Sequence, residues 1–254
     1  MTMIDRGIER KREPEIPVVA LETITTGSNS FRVVCFPHAG GNASWFHAWS
    51  KAAKYLGITL QAIKYPGHAG LLNCDYVQSI ESLAVLVDNE LSSYAGNTIL
   101  FGHSMGSLVA FEAAHQAAQR GIRYRGIHLS ASLPPSIPRK QKRSQLSDKD
   151  LIKEVGMLDP DSPNALECDE IASLFLPIVR NDFLITERYK SFENLGLQDI
   201  DIYCGTEDAE FNARDADLWK RHTKGSVRVH EFPGGHFYLR SQGDRILQTL
   251  GKTS

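Results

Sequence analysis

Residues 102–106 read Gly-His-Ser-Met-Gly, a serine with a glycine two places away on either side. A serine hydroxyl is a weak nucleophile until a base takes its proton during attack. The pentapeptide therefore matters only if the chain also brings a histidine and a carboxylate to it. Its flanks supply the right setting. Asn97-Thr98-Ile99-Leu100-Phe101 is a β-branched and aromatic run that predicts a strand, while Leu108, Phe111, Ala114 and Ala118 recur at helical spacing. Ser104 thus stands at a strand-to-helix junction, where flanking glycines leave room for a sharp turn.

A nucleophile in this setting is followed along the chain by its acid and then by its histidine. Of the nine histidines, His236 is the candidate base. It follows the strand candidate Val227–Phe232, after Gly234 and Gly235, and leads into the final helical pattern. His103 neighbours the nucleophile, so its ring points away and reads as packing. His115 lies on a helix, His128 and His230 lie in strand patterns, and His222 ends a helix, where a cation suits the dipole. The acid is expected where Asp201-Ile202-Tyr203-Cys204 runs into Gly205-Thr206-Glu207-Asp208. Asp208 is the choice and Glu207 the alternative. Asp201 falls inside the strand, Asp215 and Asp217 belong to the next helix, and the strand ending at Ser132 offers no carboxylate.

Acyl transfer also needs two preorganised N–H donors for a developing oxyanion. The residue after the nucleophile, Met105, supplies one at the helix start. The second is assigned to the Ala39 backbone, in the small-residue loop Pro37-His38-Ala39-Gly40-Gly41 after an early strand. His38 is either a gate to the site or a ring packed on that loop.

The elements that must hold these groups follow from periodicity. Strands are expected at 18–25, 31–36, 58–65, 98–101, 126–131, 200–204 and 227–232. Helices are expected at 43–56, 77–94, 104–120, 213–222 and 237–250. Such alternation predicts a mostly parallel sheet covered on both faces. The span 134–195 breaks the rhythm. It opens with prolines and basic residues and has no convincing strand. It offers a helix capped at Ser147 or Asp148, and then a bent helix pair with Pro177 at or near the break. An insertion of this kind between sheet strands predicts a helical lid over the sheet's carboxyl edge, where open α/β sheets bind substrates. Residues 17–254 then form one domain, with residues 1–16 as a flexible tail.

Composition narrows the functions. The 254 residues carry a net charge of −2, which gives no global field for nucleic acid or an anionic membrane surface. No apolar run approaches the ~18 residues of a membrane span, and the N-terminus lacks an apolar signal core. Cys35, Cys74, Cys168 and Cys204 form no C-x-x-C pair, which predicts free thiols in a reducing cytoplasm and no zinc site.

Taken together, FPHAGGNASWFHAW, KYPGHAG, FGHSMGSLVAFEAA, LPIVRNDF, YCGTEDAEF and EFPGGHFYL resemble the stand-alone type II thioesterases of nonribosomal peptide and polyketide synthases. The motifs run in family order from about residue 31 to residue 240. The resemblance implies an α/β-hydrolase fold with a helical lid, a Ser104–Asp208–His236 triad, and Ala39 and Met105 as oxyanion donors. It also implies hydrolysis of acyl or aminoacyl groups from the phosphopantetheine arm of carrier proteins, with no metal or organic cofactor of the enzyme's own. The expected partners are acyl or peptidyl carrier domains, with no nucleic acid or membrane, and the expected state is a monomer. Two departures stand out: His68 replaces the arginine usual after Tyr-Pro-Gly, and the proline common after the acid is missing. Arg139, Lys140, Lys142 and Arg143 form a basic cluster that would steer an acidic carrier. The same triad would also serve a carboxylesterase of small esters, and the alternative from another class is a non-catalytic scaffold docking on a synthase.

Overall fold

A computed structural model describes residues 17–159, 166, 168–191 and 198–252; the expected tail at 1–16 lies outside them. All seven expected strands are present: β1 (Ala20–Thr25), β2 (Arg32–Phe36), β3 (Thr59–Lys64), β4 (Thr98–His103), β5 (Gly126–Ser130), β6 (Ile200–Gly205) and β7 (Val227–Phe232). They form one sheet in the order β1-β3-β2-β4-β5-β6-β7. β1 pairs antiparallel with β3, and every other pairing is parallel. Among the described residues the α-helices include α1 (Ser50–Tyr55), α2 (Ile80–Leu91), α3 (Met105–Gln119), α4 (Asp148–Leu158), α5 (Asp169–Arg188) and α6 (Leu239–Leu250). This is the α/β-hydrolase arrangement.

Near-continuous apolar strands need cover on both sides, and two separate cores provide it. On one face Leu83 and Val87 of α2 and Leu108 and Phe111 of α3 pack with Val34, Leu100 and Ile202. On the other, Phe46, Trp49, Ile246 and Leu250 pack with Val33, Phe101 and Tyr203. Two expected helices are partly or wholly of tighter 3₁₀ form, Ala43–Trp49 ahead of α1 and Asp215–His222 before β7. Among the described residues no helix is long and apolar enough to cross a membrane.

The strand order decides where a site can form. From β2 the chain adds β3 on one side, then returns to add β4 and its successors on the other. The crevice at the carboxyl ends of β2 and β4 is thus a topological switch point. In-register pairing of Phe36 with Gly102 sets the loop carrying Ala39 beside the turn carrying Ser104.

Between β5 and β6 stand α4 and α5, around a small core of Leu151, Ala172, Leu176 and Val179. Ser147 caps α4, its side chain accepting the Asp150 N–H. α5 corrects the expectation of a break, because it runs unbroken from Asp169 to Arg188 with Pro177 inside. An interior proline costs about 3 kcal/mol. Here the helix is tethered on both sides of it. Arg180 donates to the Ser144 and Leu146 carbonyls and to Asp148, while Leu176 and Val179 are buried.

Candidate active site

Ser104 adopts φ 54° and ψ −118° between β4 and α3, a backbone conformation that non-glycine residues hold only under constraint. The constraints are visible. The Ser104 N–H donates to Ser130 O at 2.8 Å, and Ser107 Oγ accepts the Ser130 N–H at 2.9 Å. Both glycines of the motif are sterically required. A Cβ on Gly102 would stand 2.2 Å from the Gly106 carbonyl oxygen, and one on Gly106 would stand 2.1 Å from that of Phe36. The turn therefore presents one hydroxyl at the end of the central strand, held by backbone on either side.

Asp208 and His236 meet next to it. His236 Nδ1–H donates to Asp208 Oδ2 at 2.9 Å, and the Glu210 N–H donates to Asp208 Oδ1 at 2.8 Å. Two donors on a carboxylate only 1% exposed hold it in one orientation. Glu207 is exposed and gives only its N–H to Gly234 O, which decides between the two carboxylates on position. β6 and the His236 loop approach so closely at Gly205 that a Cβ there would lie 2.4 Å from Gly234 O. In the neutral ring, an Nδ1–H given to Asp208 leaves Nε2 as the acceptor nitrogen, the arrangement a base requires. Among the described residues Ser104 Oγ makes no hydrogen bond.

The loop after β2 completes the group. Its Gly40 N–H is spent on Asp182 Oδ2 (2.7 Å) and its Gly41 N–H on His38 O (2.9 Å). Ala39 lines a cavity of about 130 Å³ together with Ser104 and His236. Met105 opens α3 and lines an adjoining cavity of about 480 Å³, also shared by Ser104 and His236. The structure therefore brings all five sequence-assigned residues to one place.

His103, His128, His222 and His230 bond within the fold. His103 is fully buried, Nδ1 on Ser130 Oγ, and burial with His236 and His38 nearby holds its pKa far below the usual range. His128 reaches the Tyr203 hydroxyl, and burial lowers its pKa to about 4. His230 and Arg228 both bond Asp201, and His222 meets Ser136 Oγ. Of the two roles expected for His38, the packed ring is the one observed. It packs edge-on against Trp45 and Phe237, and it also borders the smaller cavity. Burial, then the proximity of His236, Arg240 and His68, lowers its pKa to about 3, so it is neutral at ordinary pH.

The sequence pattern of the thioesterase domain family matches residues 31–253. The chain belongs to this family. It is 32% identical over 227 residues to thioesterase PikA5 of Streptomyces venezuelae, covering 88% of this chain and 80% of that one. It is 31% identical to the probable cadicidin biosynthesis thioesterase of Streptomyces griseus, covering 86% of this chain but 61% of that longer one. The solved structure of YbtT, the type II thioesterase from the yersiniabactin biosynthetic pathway, superposes with a TM-score of 0.84. It is 29% identical, over 92% of this chain and 97% of YbtT.

Around the thioesterase site the structure adds residues that motif reading missed. Asp159, just after α4, accepts two hydrogen bonds of 2.8 Å from Arg240 of α6, whose guanidinium also lies 4.0 Å over the Trp45 ring. This pair ties the segment between β5 and β6 to the body beside the smaller cavity. Nothing in the local sequence marks it, because the partners are 81 residues apart. The basic cluster also changes meaning. Arg143 is committed to Glu154 and Glu210, and Arg139 donates to Leu133 O at 2.8 Å, while Lys140 and Lys142 are exposed. Two of the four charges are therefore held within the fold, and two, Lys140 and Lys142, stand exposed.

Proposed function

We propose that this thioesterase hydrolyses acyl or aminoacyl thioesters presented on the phosphopantetheine arm of carrier domains of a peptide or polyketide synthase, through an acyl-Ser104 intermediate. The observation that carries the reading is the Asp208–His236 hydrogen bond beside a cavity shared with the constrained Ser104. Ser104 Oγ attacks the thioester carbonyl carbon while His236 Nε2 takes its proton. The tetrahedral oxyanion rests on the Met105 and Ala39 N–H groups. Collapse breaks the C–S bond, and the proton on His236 passes to the departing pantetheine sulfur. Water then attacks the acyl ester with His236 again as base, releasing the acid and restoring Ser104.

The two cavities suggest the division of the substrate. The smaller, walled by Trp45, Phe175, Phe183 and Phe237, suits the acyl group. The larger, bordered by the exposed Lys140 and by Ser132, Gln141 and Thr186, suits an extended polar arm. α4 and α5 act as the lid over both. The chemistry calls on no metal or organic cofactor of the enzyme's own, and we place it in the cytoplasm with the synthase. The deciding experiment offers an acyl-carrier thioester and the matched small oxyester to wild type and to Ser104→Ala, with intact-protein mass spectrometry to trap the acyl adduct. Preference for the carrier thioester and an adduct lost in Ser104→Ala support the proposal. Preference for the oxyester would reassign the enzyme as a carboxylesterase, and no adduct or turnover would make it a scaffold.

A further inference from the structure

His68 and Asp182 form a buried ion pair that no step of the hydrolysis uses. His68 lies in the turn after β3 and is 3% exposed; Asp182 lies on α5 and is 2% exposed. His68 Nε2–H donates to Asp182 Oδ2 at 2.8 Å and Nδ1–H donates to Pro66 O at 3.1 Å. Both ring nitrogens meet an acceptor, so only the doubly protonated imidazolium satisfies both contacts. The same Asp182 oxygen accepts the Gly40 N–H at 2.7 Å. Gly40 follows Ala39, sits at φ +73°, and has so little space that a Cβ would lie 2.5 Å from Val179 and 3.0 Å from Phe175 of α5. One carboxylate thus ties together the turn after β3, the longest helix of the lid, and the loop that carries an oxyanion donor.

Resting on the assignment of Ala39 as that donor, we propose that the His68–Asp182 ion pair is a positioning device for the oxyanion site. With His68 charged, Asp182 holds α5 and the Gly40 peptide in register; without that charge the loop is released. The titratable groups facing His68 are held in one form near neutrality. Tyr65, whose ring is 5.4 Å from His68 and whose hydroxyl donates to Pro37 O, is pushed well above its usual range by burial. Tyr76 is raised by burial and by Asp182. His38, in the loop itself, lies far below neutrality. For His68, burial opposes the charged form, but the Asp182 charge, its hydrogen bond and the Pro66 carbonyl outweigh that and raise the pKa. The sign follows. The pair is complete below the unfolded value of about 6.5 and is lost as pH rises through the raised folded value.

The test combines pH profiles with amide NMR. In wild type, kcat on a carrier-bound thioester, corrected for spontaneous hydrolysis, should fall roughly three- to tenfold on an alkaline limb, with KM little changed. The Gly40 amide shift should titrate with the same midpoint as the His68 imidazole. His68→Arg, which keeps the charge, should lose the limb and stay at the high plateau. His68→Gln should lie at the low level throughout, and Asp182→Asn should be low and without a limb; thermal melts confirm that the variants fold. A wild-type kcat flat to pH 9.5, an unchanged limb in His68→Arg, or a Gly40 amide indifferent to His68 would overturn the proposal. Should no thioester be turned over at all, the hydrolase reading fails, and the NMR arm alone decides whether the pair sets the loop.

Discussion

Replacing Asp208 with asparagine keeps the side chain's shape and changes one acceptor into a donor. In the native site both carboxylate oxygens accept, one from His236 Nδ1–H at 2.9 Å and one from the Glu210 N–H at 2.8 Å. An amide can offer its oxygen to only one of them. If the oxygen stays on the Glu210 N–H, the NH₂ group confronts His236 and forces its proton from Nδ1 to Nε2. The nitrogen that should receive the Ser104 proton then already carries one. A wrong tautomer of this kind costs about 10⁴ in kcat, or roughly 5.4 kcal/mol of transition-state stabilisation. With a side chain only 1% exposed, water cannot enter to relieve the conflict. The assay is kcat and KM on an acyl-carrier thioester, with a thermal melt to confirm folding. Asp208→Asn should lose about four orders in kcat with KM nearly unchanged, and Ser104→Ala and His236→Ala should lose more. Glu207→Gln, at an exposed side chain, should stay within about twofold. Near-wild-type turnover in Asp208→Asn together with a large loss in Glu207→Gln would show that the acid has been misassigned.

Other outcomes follow from the same geometry. Gly106→Ala, whose Cβ would lie 2.1 Å from a backbone oxygen, should cost more than about 4 kcal/mol or abolish soluble expression, whereas Gly96→Ala, with nothing within 4 Å, should be near neutral by denaturant titration. Arg240→Ala removes one partner of an ion pair whose carboxylate is 3% exposed; the usual loss of ~3–5 kcal/mol, discounted for an arginine 37% exposed, leaves about 2 kcal/mol, or a melting point lower by about 4–8 °C. A melt unchanged within 1 °C would show that Asp159–Arg240 is not a fastening. Lys140→Gln with Lys142→Gln should lower kcat/KM several-fold for a carrier-bound acyl group at low salt, with the difference shrinking as salt rises and absent on a free acyl-pantetheine. Equal losses on both substrates would refute steering.

The candidate site was legible in the sequence wherever a position follows from chain order and local pattern. A strand ending in a Gly-flanked serine, a carboxylate after a later strand and a loop histidine after the last one gave Ser104, Asp208 and His236 without any knowledge of distance. The sequence preferred Asp208 but left Glu207 open, because two adjacent carboxylates in a turn do not reveal which is buried; in the structure it is Asp208. Pro177 misled because propensity counts the lost hydrogen bond and is blind to Arg180, whose three tertiary contacts hold the helix through it. The basic cluster misled for a related reason: charge in a sequence is counted before its partners are known, and Glu154, Glu210 and the Leu133 carbonyl had already claimed the two arginines.

What no local pattern could show is that α5, the loop after β2 and the turn after β3 share a carboxylate. Asp182 lies 142 residues from Gly40 and 114 from His68, and although it stands in the LPIVRNDF motif, nothing in that motif names its partners. Its role arises from the switch point. The sheet order puts the turns after β2 and β3 side by side, and α5 is the element that crosses above them with Phe175, Val179 and Asp182 on one face. A helix placed to cover the substrate is thereby also placed to brace the backbone that would stabilise the transition state. Movement of that helix cannot leave the Gly40 contact untouched, because a close-packed glycine at φ +73° has no slack to absorb it. Lid opening and oxyanion geometry are therefore expected to change together. Hydrogen exchange can read this directly, since the Gly40 amide should exchange with the protection of α5 and not with that of the β2 strand it follows. Protection equal to the central strands would separate the two and leave the lid a passive cover.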